Sequence, residues 1–218
     1  PLAATAGARP LVVQSHGWGA PPSGPNDAQY GGPTAAQWAA KGYVVVQLAA
    51  RGWGDSCGTD ASRQINAPAC DKGYIRLDDA RYEVRDIQYV AGLLVDEGLV
   101  DPARIGAIGE SYGGASTLAL ATLNDRVMQP DGSLRPWQSP DGVPLHLAAA
   151  VPLYTFSDLV TALAPNGRTF VDRVTPPADD LKPVGVWKQS IDTGLHLVGQ
   201  LNGYYAPTGT DPEADIDA

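Results

Sequence analysis

The stretch RIGAIGESYGG, residues 104–114, is the most informative part of this sequence. It begins with an apolar run typical of a buried strand and continues into Gly-Glu-Ser-Tyr-Gly at 109–113, which matches the G-x-S-x-G pattern. The segment YGGASTLALATL, residues 112–123, has the composition of a helix. This order predicts a strand, a sharp turn and a helix, with Ser111 on the turn. Ser111 is therefore a candidate nucleophile, which needs a base to take its proton.

The same pattern occurs a second time at residues 54–58, where Ser56 is the central residue. The sequence after Ser56 is rich in Asp, Asn, Pro and Gly and shows no helical pattern. A strained nucleophile turn needs a strand before it and a helix after it. The context therefore favours Ser111 over Ser56.

Alternating strand and helix patterns surround this turn. The predicted strands are residues 10–17, 43–50, 104–109 and 145–154, and the predicted helices are residues 33–42, 78–98 and 112–123. Residues 184–201 could also be helical, although three glycines weaken the pattern. Strands that alternate with helices predict a mostly parallel α/β sheet, which binds its ligands at the carboxyl ends of its strands.

Composition and charge argue against two classes of partner. The chain of 218 residues has a formal net charge of −9 and no basic run, which argues against nucleic-acid binding. No apolar run approaches the length of a membrane span.

We predict a disulfide between the two cysteines, Cys57 and Cys70, which implies an oxidising compartment. Two unpaired thiols in a cytosolic protein are the alternative.

Five segments, in matching order, make the chain resemble the α/β-hydrolases, and more narrowly the X-prolyl dipeptidyl-peptidase and cocaine-esterase-like acyl hydrolases. They are SHGWG (15–19), GYVVVQLAARGWGDSCG (42–58), DDARYEVRDIQYVAGLL (78–94), DPARIGAIGESYGG (101–114) and LAAAVPLYTFSDL (147–159). The resemblance implies hydrolysis of an ester or amide in a small-molecule or peptide acyl substrate, through an acyl-enzyme and without metal or cofactor. It also implies a partial hydrolase core in residues 1–160, holding strands three to six of eight, and the start of a helical cap in residues 161–218.

The resemblance also implies roles for residues near Ser111. The backbone N–H of Tyr112 and an N–H from the region of Trp18 would form an oxyanion hole. His16 would shape this loop and would not act as the base. The aromatic side chains of Trp18, Tyr112 and Trp53 either line an acyl pocket or belong to the core.

The segments that carry the resemblance include neither a catalytic acid nor a catalytic base. In these hydrolases the acid follows strand seven and the histidine follows strand eight, and nothing after residue 160 has the pattern of either strand. We therefore expect this chain to be a piece of a hydrolase whose remainder carries the acid and base. A triad of Ser111, Asp158 and His196 is the in-chain alternative, and it requires His196 to fold back over the serine turn. Asp158 more simply caps a helix that starts near Leu159.

Two further expectations concern function and location. Because no complete triad is visible, a non-catalytic binding module with the hydrolase fold is the alternative function. The cysteines lie in or near the loop that resembles the RGxGxSxG segment of the family, which suggests an exported member, secreted or in the cell envelope. A cytoplasmic location is the alternative.

Overall fold

The central sheet has four parallel strands in the computed structural model, which describes residues 7–27, 32–165 and 185–216. The strands are β1 Arg9–Ser15, β2 Val44–Leu48, β3 Val100–Glu110 and β6 Leu147–Leu153. Their order across the sheet is β2-β1-β3-β6, and every neighbouring pair is parallel. Two short strands, β4 Arg126–Met128 and β5 Leu134–Pro136, form a separate antiparallel pair.

Helices connect and flank these strands. They are α1 Ala35–Ala40, α2 Asp60–Ile65, α3 Glu83–Asp96, α4 Tyr112–Leu123, α5 Leu159–Leu163 and α6 Gln189–Asn202. The order of strands and helices and the parallel sheet confirm the predicted fold class, a partial α/β-hydrolase fold. No helix within the described ranges is long and apolar enough to cross a bilayer.

The main core lies between the sheet and the helices α3 and α4. Leu11, Val13 and Ile105 of the strands are almost completely buried, as are Val84 of α3 and Leu120 of α4. The apolar residues of α3 that face this core recur at helical spacing, and they are Val84, Ile87, Ala91 and Val95. Burial of these side chains stabilises the packing of β3 and α4, the two elements that the serine turn connects.

The predicted helix over residues 78–98 begins later, at Glu83. Leu77 and Asp78 have positive φ angles of 55° and 62°, which a helix does not tolerate. The Glu83 carboxylate accepts hydrogen bonds from the N–H groups of Arg76 and Asp78, so it stabilises a turn in place of the first helical turn.

The sequence prediction of no helical pattern after Ser56 was wrong, because α2 begins at Asp60. A capping box explains this short helix: the Thr59 side chain accepts from the N–H of Ser62, and the Ser62 side chain accepts from the N–H of Thr59. The pair of β4 and β5 was not predicted either.

The predicted division into a core, residues 1–160, and a cap segment, residues 161–218, remains a prediction. Residues 166–184 and 217–218 of that segment lie outside the described residues, as do residues 1–6 and 28–31 of the core. The predicted helix over 184–201 corresponds to α6, which begins at Gln189.

Candidate active site

Ser111 lies on a strained turn between β3 and α4. Its φ and ψ angles are 54° and −114°, a region that residues other than glycine rarely occupy. The N–H of Ser111 donates to the carbonyl oxygen of Leu153 in the neighbouring strand β6, at 2.9 Å. The turn therefore places the serine at the carboxyl edge of the sheet, as the sequence pattern predicts.

Close backbone contacts explain the glycines on both sides of Ser111. A Cβ atom on Gly109 would lie 2.2 Å from the carbonyl oxygen of Gly113. A Cβ atom on Gly113 would lie 2.2 Å from the carbonyl oxygen of Ser15, and one on Gly114 would lie 2.5 Å from that of Leu153. Only glycine allows the first turn of α4 to approach the ends of β1 and β6 this closely.

Tyr112 and Trp18, the residues predicted to form the oxyanion hole, lie next to each other near the serine turn. Tyr112 is the first residue of α4, so its N–H has no acceptor within the helix and lies at the positive end of the helix dipole. The Trp18 and Tyr112 rings are in edge contact, with centroids 5.1 Å apart. The structure therefore brings the loop that contains Trp18 next to Ser111.

A cavity of about 200 Å³, which we call the elbow cavity, opens beside Ser111. Its walls are mainly apolar and include Trp18, Leu77, Phe156, Leu159, Leu163 and Ile216. The lining residues that carry a hydroxyl, carboxyl or imidazole group are Ser111, Tyr112, Asp192, His196 and Tyr205. An apolar wall around a few polar groups is typical of a small-molecule site.

Helix α6 brings His196 into this cavity. The Trp18 indole N–H donates to the carbonyl oxygen of Leu195 at 2.7 Å, and the His196 ring lies against Tyr205 with centroids 5.3 Å apart. Helix α6 therefore places His196 on the wall of the cavity that Ser111 also lines, and the in-chain triad remains a prediction. Asp192 lies one helical turn before His196 and was not singled out from the sequence, although its spacing of four residues is a readable signal.

Asp158 has a different environment. It is exposed and is the N-cap of α5, where its carboxylate accepts from the N–H of Thr161. This is the capping role that the sequence favours for Asp158. The hydrogen bond to Thr161 lowers the pKa of the carboxyl group. Among the described residues, Asp158 is not part of the elbow cavity wall.

Hydrogen bonds occupy both ring nitrogens of His16. Nε2 accepts from the N–H of Ala50 at 3.1 Å, so Nδ1 carries the proton and donates to the carbonyl oxygen of Gly17 at 2.8 Å. Burial lowers the pKa of this imidazole. These contacts support the structural role predicted for His16.

Two buried carboxyl groups lie directly beneath the serine turn. Glu83 accepts from the hydroxyl of Tyr112 at 2.7 Å, and Asp78 accepts from the hydroxyl of Ser116. Burial raises the pKa of Glu83 from 4.5 to about 7, and burial together with the nearby Glu83 charge raises the pKa of Asp78. Sequence reasoning missed this pair, which lies on a loop and a helix start without a catalytic motif.

The loop after β2 is held by a disulfide and by a cation–π contact. Cys57 and Cys70 are bonded to each other, as predicted, with Cα atoms 5.5 Å apart. The Arg63 guanidinium lies 3.6 Å from the centre of the Tyr204 ring. Trp53 is fully buried in the aromatic core and does not belong to the described cavity wall.

Comparison with known proteins agrees with this geometry. Residues 33–129, from α1 to β4, match the prolyl oligopeptidase family. The matched segment includes Ser111 and both buried carboxyl groups. The match supports membership of the α/β-hydrolase superfamily and serine hydrolase chemistry in general. A search of curated proteins found no match.

Proposed function

We propose that this protein is a serine hydrolase that cleaves an ester or amide through an acyl-enzyme on Ser111. One observation carries the proposal: Ser111 has a strained φ angle of 54° at a strand-to-helix junction and lines an apolar cavity. Backbone strain of this kind is common at active sites. The similarity to the prolyl oligopeptidase family supports the same chemistry.

The proposed reaction follows from the groups around the turn. A base removes the Ser111 proton while the hydroxyl oxygen attacks the acyl carbon, and the N–H of Tyr112 with one from the Trp18 loop stabilises the negative oxygen. The leaving group departs with the proton, which leaves an acyl ester on Ser111. Water then attacks this ester, and the acid product and free serine are released.

A fluorophosphonate probe tests the proposal on the full-length protein. We expect the probe to label Ser111, Ser111→Ala to abolish labelling and Ser56→Ala to leave it unchanged. Peptide mass mapping identifies the labelled residue. Labelling that persists in Ser111→Ala contradicts the proposed nucleophile, and an unlabelled wild-type protein favours the non-catalytic binding module.

We infer that the acid and base come from the remainder of the hydrolase chain. The open edge of the sheet supports this: within the described residues β6 pairs with β3 on one side, and Val151 of β6 is 48% exposed. An exposed apolar edge strand is a site for further strand pairing. His196, which lines the same cavity as Ser111, is the in-chain alternative base.

His196→Ala separates these two sources of the base. If the base lies in the remainder of the chain, the labelling rate of Ser111 in the full-length protein stays within about threefold of wild type. A loss of about a hundredfold or more would assign the base to His196. Melting temperature measured in parallel distinguishes a chemical loss from unfolding.

The substrate class is proposed from the lining of the elbow cavity. Trp18, Phe156 and Leu159 favour an apolar acyl group, which agrees with the resemblance to X-prolyl dipeptidyl-peptidases and cocaine-esterase-like hydrolases. Turnover of p-nitrophenyl esters and of X-Pro-p-nitroanilide peptides by the full-length protein separates the two classes. Turnover of charged acyl groups at equal efficiency would contradict the apolar pocket.

We also propose that the protein is exported. The bond between Cys57 and Cys70 supports this location, because disulfides persist in oxidising compartments. Fractionation of the native cells tests the proposal, and a protein found only in the cytosol would reject it.

A further inference from the structure

Glu83 links two parts of the site that no catalytic motif connects. It is the first residue of α3, and 2% of its surface is exposed. It accepts hydrogen bonds from the N–H of Arg76 at 2.9 Å, from the N–H of Asp78, and from the hydroxyl of Tyr112 at 2.7 Å. One buried side chain therefore contacts both the loop before α3 and the residue that follows the nucleophile.

The first two bonds fix the conformation of Leu77. The N–H groups that Glu83 accepts belong to the residues on either side of Leu77, and both Leu77 and Asp78 have positive φ angles. Successive N–H groups in such a turn form a concave site for an anion. Leu77 lines the elbow cavity, so the carboxyl group of Glu83 determines where this wall lies.

The third bond fixes Tyr112. Its hydroxyl donates to Glu83, and its ring packs against Trp18 at a centroid distance of 5.1 Å. Because Glu83 binds the hydroxyl of this buried ring and Trp18 packs against the ring, the attached backbone is held in one place. The N–H of Tyr112 is the proposed oxyanion donor, and an error of a fraction of an ångström there weakens transition-state stabilisation.

We propose that Glu83 is a positioning residue for the Ser111 reaction, because its buried carboxyl group holds Leu77 in the cavity wall and Tyr112 beside the nucleophile. The inference rests on the proposed serine hydrolase function. It predicts that Glu83 has two separable effects. Through Tyr112, Glu83 raises the reaction rate with every acyl group. Through Leu77, it changes the relative rates with small and bulky acyl groups.

The test measures labelling of the full-length protein with two fluorophosphonates, one with a small alkyl group and one with a bulky aryl group. For Glu83→Gln we expect both second-order rate constants to fall about tenfold or more, and their ratio to change by about threefold or more. Tyr112→Phe keeps both Glu83 bonds around Leu77 and removes only a longer contact to that turn, the hydrogen bond of 3.3 Å from the N–H of Asp78 to the Tyr112 hydroxyl. For this variant we expect both constants to fall while the ratio stays within about twofold.

Glu97→Gln is the matched control, because Glu97 is exposed at the other end of the same helix, and it should match wild type. Unfolding of part of the sample lowers both rate constants equally and leaves their ratio unchanged. Glu83→Gln with an unchanged ratio, or with rates within about twofold of wild type, overturns the inference. If Glu83→Gln does not fold, wild-type rates in Tyr112→Phe overturn it. Labelling that persists in Ser111→Ala overturns the proposed function instead.

Discussion

Gly113 lies in the first turn of α4 at a point where only a hydrogen atom fits. A Cβ atom there would lie 2.2 Å from the carbonyl oxygen of Ser15, a backbone atom in a buried strand end that cannot move away easily. We expect Gly113→Ala to displace the serine turn, to lower the free energy of unfolding by about 1–3 kcal/mol and to abolish labelling of Ser111. Urea unfolding and probe labelling measure the two effects.

Gly194→Ala is the control for this substitution. A Cβ atom on Gly194, in the middle of α6, would contact nothing within 4 Å. Because alanine favours a helix over glycine, we expect a gain of up to about 1 kcal/mol and unchanged labelling. If Gly113→Ala matched wild type in stability, the close approach of α4 to β1 would be contradicted.

The residues of the site differ in how far the sequence predicts them. The turn at Ser111 was predictable because the strand pattern, the glycines and the helix pattern all occur within 20 residues, 104–123. The pairing of Asp78 with Glu83 was not predictable, because the sequence does not show whether a carboxyl group is buried or which groups surround it. Asp192 and His196 reach the cavity only through the packing of α6.

At the scale of elements, α5 depends on Asp158. Asparagine also caps helices, so Asp158→Asn should keep α5 while removing the carboxylate, and Asp158→Ala should fray the helix. We expect Asp158→Asn to label at the wild-type rate. Asp158→Ala should lower affinity for bulky probes, because Leu159 and Leu163 of α5 line the cavity. A loss of about a hundredfold in Asp158→Asn would instead support Asp158 as the catalytic acid.

The half-buried indole of Trp18 helps to attach α6. Trp18→Phe removes the hydrogen bond to the carbonyl of Leu195, and we expect a loss of about 1 kcal/mol and faster hydrogen exchange in α6. Trp38→Phe is the control, because the Trp38 indole N–H is buried and has no hydrogen-bond partner in the described structure. It should cost less than Trp18→Phe and leave exchange in α6 unchanged. Equal exchange in both variants would show that this bond does not hold α6.

Local signals account for the elements that were predicted well. The helix over 112–123 has the predicted bounds because the glycine turn defines its start. The predicted start of α3 at residue 78 was wrong because the Glu83 carboxylate binds the N–H groups of the preceding turn. The short strands β4 and β5 have three residues each, too few for a periodic pattern to be recognised.

The disulfide affects the stability of the whole molecule. It closes a loop with a sequence separation of 13, and removing it should lower the free energy of unfolding by about 3 kcal/mol on the loop-entropy account. Calorimetry should show a similar fall in melting temperature for Cys57→Ala/Cys70→Ala and for reduced wild type. Added reductant should then have no effect on the double variant. If reductant left the melting temperature of the wild-type protein unchanged, the bond would not stabilise the fold.

The buried carboxyl pair makes the stability of the whole molecule depend on pH. Because burial raises the pKa of Glu83 from 4.5 to about 7, the folded state binds more protons than the unfolded state between these values. The free energy of unfolding should therefore fall as pH rises through this window, by up to about 1.4 kcal/mol per pH unit for one proton. Below the window the contribution of Glu83 to the free energy of unfolding is fully present, and above it this contribution is lost.

Glu83→Gln cannot titrate, so its stability should fall less steeply with pH than that of wild type. The exposed Glu97→Gln should follow wild type. Urea unfolding across the window measures all three, and parallel curves for Glu83→Gln and wild type would contradict a raised pKa at Glu83.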